Sequence, residues 1–211
     1  MIRAELVTYI EQSVIPRYAD FDRAHNLDHV QTVIAESAAL ATHYPELDEE
    51  MVYVIAAFHD TGLCEGRERH HIVSGEIVRA DSFIATLFSA LQIEIIAEAI
   101  EDHRASSKSD PRSLYGCVVA EADRVISTYT TLRRTVQYGL RQNPEATIDE
   151  HFSRFEDHLQ TKYAEGGYLK LYIPFSDNAA RLEQLRAVVG NRVELRARFN
   201  EIFAQEVAKG L

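Results

Sequence analysis

The stretch Ala56-Ala-Phe-His59-Asp60-Thr-Gly62 sets an imidazole beside a carboxylate at the end of an apolar run. A charge carried out of hydrophobic surroundings is costly without a partner, and a metal ion suits both residue types. Further histidines stand at 25, 29, 70, 71 and 103, and Asp123 falls inside another apolar segment, where a carboxylate should be buried and paired. Taken in order, His29, His59-Asp60, His71, His103 and Asp123 are separated by 30, 11, 32 and 20 residues. Each interval is the length of a helix pair or less, so packed helices can bring all of them to one pocket. Mixed imidazole and carboxylate donors suit Zn, Fe, Mn, Ni or Co better than Ca or Cu alone. His25 and His29, four apart, share a face if both are helical.

The elements that must position these residues read as helices throughout. Ile2, Leu6, Tyr9, Ile10 and Val14 predict an amphipathic helix over 2–19, disturbed near Pro16. Val30, Val33, Ile34, Ala38 and Leu40 predict a second helix, stopped at Tyr44-Pro45. Asp48-Glu49-Glu50 puts acid in the first turn of a core helix that ends at His59-Asp60, with Thr61-Gly62 leading into a charged loop that holds Glu65, Arg67, Glu68 and Arg69. Helices follow at 70–81, in a short form over 82–91, then at 92–103, 114–126, 128–142, 147–163 and, as one long terminal helix, 178–208. The expectation is an all-α chain of eight to ten helices, forming a single domain over 1–211 with a motif core at about 22–130 and helices 131–211 packed on it.

Composition narrows the function classes. The formal charge of -11 disfavours a protein that coats nucleic acid or an anionic membrane, so a small substrate is expected rather than a polymer or a bilayer. Cys64 and Cys117 stand far apart, without a CxxC and without a secretory signal, which points to a reduced cytoplasmic protein.

Together, His-Asn-Leu-Asp-His29, Ala-Ala-Phe-His59-Asp60-Thr-Gly, His71-Ile-Val-Ser-Gly-Glu-Ile, Glu-Asp-His103 and Glu-Ala-Asp123-Arg resemble the HD-domain superfamily of metal-dependent phosphohydrolases, over roughly Asn26 to Ser127. The resemblance, which beyond residue 130 extends loosely to the C-terminal helices of small bacterial HD proteins, implies an ion held by His29, His59, Asp60 and Asp123. It also implies a second ion on His71 and His103, with Asp60 bridging. His70 competes with His71, and His71 is favoured because its spacing to Gly75 fits the family's His-x-x-x-Gly pattern. The implied cofactor is one or two divalent ions, Mn, Fe, Co, Ni or Zn, with Mg admissible. The implied reaction is hydrolysis of a phosphate ester or phosphoanhydride in a small molecule, foremost a nucleotide. Asp60, His71, His103 and Arg104 are the candidate catalytic groups. His25, Arg67, Arg69, Lys108 and Arg124 are candidates to hold substrate phosphate, and Glu65 is a candidate base. Relatives with the same ligand set oxidise substrates at mixed-valent di-iron centres, and others are weakly catalytic regulatory modules that bind nucleotide. A homodimer is compatible with all three readings.

Overall fold

The structure, a computed structural model, describes residues 1–21, 25–107, 109–124 and 126–209. All regular structure among them is helical, as expected. The α-helices are α1 (Ala4–Tyr9), α2 (Leu27–Ala41), α3 (Glu49–Phe58), α4 (His70–Ala80), α5 (Ile84–Leu87), α6 (Ala90–Asp102), α7 (Leu114–Asp123), α8 (Thr128–Gln142), α9 (Ile148–Tyr163), α10 (Asn178–Gly190) and α11 (Arg192–Ala208). The count exceeds the upper expectation by one because the terminal helix is two. Asn191 leaves the helical region, and its side chain accepts the Glu194 N–H at 3.2 Å, so it ends one helix and caps the next. The N-terminal helix also changes character. After α1 the ladder widens into a π-helical turn at Ile10–Val14 and tightens into a 3-10 turn at Ile15–Asp20. Pro16 has no N–H to give four residues back and its ring crowds that carbonyl, so the register must shift around it.

The chain divides into two compact units, Met1–Arg124 with Tyr172–Ser176, and Val125–Leu171 with Asp177–Leu211. The first is built on α3. Asp48 caps it by accepting the N–H groups of Glu50 at 2.8 Å and Met51 at 3.4 Å. From Met51 to Phe58 every side chain but Tyr53 is buried, because α2, α6 and α7 all pack against this helix and α4 lies on α6. The segment Tyr172–Ser176 joins this unit, where the Tyr172 N–H reaches the buried Glu121 carboxylate at 2.8 Å. In the second unit, α8 to α11 bury Leu132, Val136, Phe155, Leu159, Leu185 and Phe199. Its fully buried Glu206 is satisfied by three donors, Arg133 and Gln137 at 2.7 Å and Lys209 at 2.9 Å. Both cysteines are free. Among the described residues, no helix is long and apolar enough to cross a membrane.

Candidate metal centre

α2, α3 and α7 bring the first group of ligands together. Asn26 caps α2 by accepting the His29 N–H at 3.1 Å, which fixes His29 in the first turn. α3 ends one residue before His59, and Asp123 is the last residue of α7. His29 Nε2 lies 3.1 Å from His59 Nε2, 3.3 Å from Asp123 Oδ1 and 3.5 Å from Asp60 Oδ2. His59 Nε2 is 3.2 Å from the same Asp60 oxygen.

The other oxygen of Asp60 faces a second group. Asp60 Oδ1 is 3.5 Å from both His70 Nε2 and His103 Nε2, which are 3.2 Å from each other. α4 and α6 supply these imidazoles. Gly62 allows α4 to start where it does, since a Cβ there would sit 2.2 Å from the His70 carbonyl oxygen. The Gly62 N–H is given to the buried Ser74 hydroxyl at 2.8 Å, tying the turn after His59-Asp60 to α4. The end of α6 is held by Arg112, which reaches Asp102 at 3.0 Å and Glu101 at 2.7 Å, next to His103.

Whether a cation suits this cluster is decided by the outer nitrogens. Nδ1 of His59 donates to the Ala56 carbonyl at 2.7 Å, Nδ1 of His103 to Ile100 at 2.6 Å, and Nδ1 of His70 to Arg67 at 2.8 Å. A carbonyl only accepts, so in each neutral ring the proton sits on Nδ1 and Nε2 presents a lone pair to the centre. His70 and His103 therefore aim two lone pairs at one another, with a carboxylate oxygen beside them. Such an arrangement needs a positive charge between its members. Ligands ~2.1 Å from one ion stand ~3.0–3.4 Å apart, close to the spacing found here. The residues fit divalent ions, and two sets of donors, His29/His59/Asp123 and Asp60/His70/His103, each converge within 4.8 Å.

Metal-free electrostatics tell the same story. Burial opposes charge on His29, but the Asp123 and Asp60 carboxylates overcome it and lift the group to about 9. Burial also opposes ionisation of Asp60 and Asp123, yet the surrounding imidazoles hold both well below the usual carboxylate range. His103 is raised against its burial by Asp60, whereas His70 is lowered by burial and by His103.

His70, and not the expected His71, meets Asp60 and His103 in the cluster. Residues one apart on a helix point ~100° apart, so only one can face the centre. The spacing to Gly75 that favoured His71 has another cause, because a Cβ at Gly75 would lie 2.8 Å from the Glu101 carboxylate, so this glycine serves the contact between α4 and α6. His71 has a buried Nδ1 without a partner and is pushed down to about 4, by burial and then by the charges of His103 and Arg104. His25 precedes α2 rather than belonging to it. Its ring is nevertheless 5.7 Å from His29, and its Nδ1 is 3.1 Å from an Arg67 nitrogen. Arg104 bonds the Glu68 carbonyl and the Ser106 hydroxyl, joining the loops that follow the two ligand-bearing helices α3 and α6. Arg69 pairs with Glu76 at 3.6 Å, and Glu65 is exposed. Arg124 is not a surface cation. It is 7 % exposed and stacks over Tyr172 at 5.1 Å, with Nε and Nη1 unpartnered. Lys108 lies outside the described residues.

No curated protein and no solved structure matches the chain. The family model described as HD domain matches residues 26–127, just under half of the chain, so an HD domain spans that stretch, which contains every residue of both donor sets.

Proposed function

We propose that this protein hydrolyses a phosphate ester or phosphoanhydride of a small molecule, with a nucleotide as the substrate class, at a centre of two divalent ions. The observation that carries the reading is Asp60, whose Oδ2 faces one histidine pair while its Oδ1 faces the other. So placed, Asp60 would let one carboxylate serve both donor sets. His29, His59 and Asp123 would hold one ion, and His70 and His103 the other. Such ions lower the pKa of a bound water and polarise a phosphoryl oxygen. The protein's own part is to fix the donors. Three of its four imidazoles are locked in one tautomer by backbone carbonyls, and the His59 and Asp60 side chains are shielded from bulk water.

Charge growing on the phosphoryl oxygens calls for a cation at the rim. Arg104 is suited to this role, because among the described residues its guanidinium is met by a carbonyl and a hydroxyl and by no carboxylate. The test is phosphate release from a panel of phosphorylated metabolites by Mn- and Co-loaded protein, repeated on Asp60→Ala. Phosphate release by wild type alone is expected. Full occupancy of both ions with no release from any member, or oxygen consumption coupled to substrate loss by the Fe-loaded protein, would overturn the proposal.

A further inference from the structure

We propose that Tyr18, which lies outside the stretch matched to the family, is a positioning residue that sets the orientation of Asp60; the inference rests on the metal-centre reading above. Pro16 and the 3-10 turn Ile15–Asp20 carry the tyrosine inward, so that it is fully buried, 6.1 Å from the His59 ring and 5.4 Å from Phe21. Its hydroxyl donates to the Ala57 carbonyl at 2.9 Å and accepts the Asp60 N–H at 3.2 Å. Immediately before, the Ala56 carbonyl takes the His59 Nδ1 proton.

The end of α3 is therefore closed by side chains. Continued helix would send the Asp60 N–H to Ala56 and keep the ladder running. Here the histidine occupies that carbonyl and the phenol takes the amide, so the backbone leaves the helix after His59 with the Ala56 carbonyl and the Asp60 N–H both still paired. That exit angle is what lets the two oxygens of Asp60 face opposite ways. Removing the hydroxyl leaves a buried N–H and a buried carbonyl seeking partners, and the cheapest repair, one more helical bond or an inserted water, turns Asp60. The two donor sets would not suffer equally. The first keeps His29, His59 and Asp123, while the second depends on Asp60 beside only two imidazoles.

Tyr9 provides the control. It lies in the same N-terminal segment, stacks on Phe83 at 4.2 Å and gives its hydroxyl to Asp81, with no contact to the centre. Titration calorimetry of Mn²⁺ into metal-free wild type, Tyr18→Phe and Tyr9→Phe, with thermal unfolding of each, separates positioning from plain stability. We expect both variants to melt earlier, Tyr9→Phe to bind both ions as wild type does, and Tyr18→Phe to bind the second ion ~10–100-fold more weakly, the usual effect of losing a group that orients a ligand. Wild-type affinity for both ions in Tyr18→Phe, or equal weakening in both variants, would overturn the role of Tyr18 alone. Wild type that takes up no ion would overturn the metal centre with it. Hydrogen exchange on the wild type gives a measurement independent of any variant, since the Asp60 amide should be as protected as those of α3, and rapid exchange there would contradict the bond.

Discussion

The two halves of the centre are built differently. His29, His59 and Asp123 are delivered by three helices that pack on one another through apolar faces, α2, α3 and α7. His70 and His103 stand at junctions, one on the first residue of α4 and the other just past α6, and their places depend on specific contacts: Gly62 against α4, and Arg112 against Asp102. A core tolerates modest change by repacking, whereas a close backbone approach has no alternative. The second half should therefore be the more fragile, with Asp60 common to both.

That comparison can be broken in order of severity. Asp60→Ala removes the shared carboxylate and should abolish uptake of the second ion and weaken the first, lowering hydrolysis by more than ~100-fold, beyond the loss typical of an outer partner. Metal analysis after gel filtration measures it, and a variant that retains two ions would deny Asp60 its bridging place. Gly62→Ala separates the halves. Its Cβ would collide with the His70 carbonyl at 2.2 Å and the Ser74 nitrogen at 2.6 Å, so α4 must shift. We expect ~1–3 kcal/mol of lost stability together with ~10–100-fold weaker binding of the second ion, while the first is largely spared. Equal weakening of both ions in calorimetry would show that the halves are not separately supported.

What could be read from sequence follows the same division. His29, His59, Asp60 and Asp123 sit at the ends of strongly apolar helices, and apolar periodicity is the most local of signals. The choice between His70 and His71 was not available from periodicity, because it turns on where α4 begins, and that is set by Gly62 fitting against Ser74, a contact between different elements. The break at Asn191 escapes periodicity for a related reason, since the residues on both sides of it continue one helical pattern while Asn191 leaves the helical region and caps the next helix with its side chain. Arg124 is a candidate phosphate-holding cation by residue type and position, yet Tyr172, distant in sequence, covers it. Tyr18 extends the four-residue spacing of Ile10 and Val14, but its hydroxyl's partners lie in α3 and just beyond it.

The register of α4 gives a smaller and cleaner effect. His70→Ala should weaken the second ion by ~10–100-fold, and His71→Ala should change it by no more than about threefold, the range of substitutions that leave no ligand or cavity behind. The pair shares a helix and a solvent environment, so the difference isolates direction. If His71→Ala were the damaging variant in ion titrations, the start of α4 would have to lie one residue later than it does here.

The subtlest expectation concerns protons in the metal-free protein, where His29 in the first half and His103 in the second are both raised by the carboxylates beside them. His29, in the first, has its folded value raised from 6.5 to about 9, so its contribution to stability is complete below 6.5 and is lost as pH climbs through 9. His70 and His71, on the second side, are lowered, so the stability tied to keeping them neutral is present above 6.5 and fades as pH falls, for His71 down through about 4. Together these place the metal-free optimum near pH ~6.5, with an alkaline decline worth up to ~3 kcal/mol from His29. A bound ion holds His29 as a neutral ligand, so loading should remove that decline and release a proton near neutral pH, detectable in weak buffer. Thermal unfolding of chelator-treated protein between about pH 5 and pH 9.5, with and without Mn²⁺, measures both arms, and His29→Asn should remove the His29 part of the alkaline one, leave the part due to His103, and spare the acidic arm. Stability that rises steadily from 6.5 to 9 without metal would mean that Asp60 and Asp123 do not hold a proton on His29, and would remove the reason for supposing that an ion takes its place.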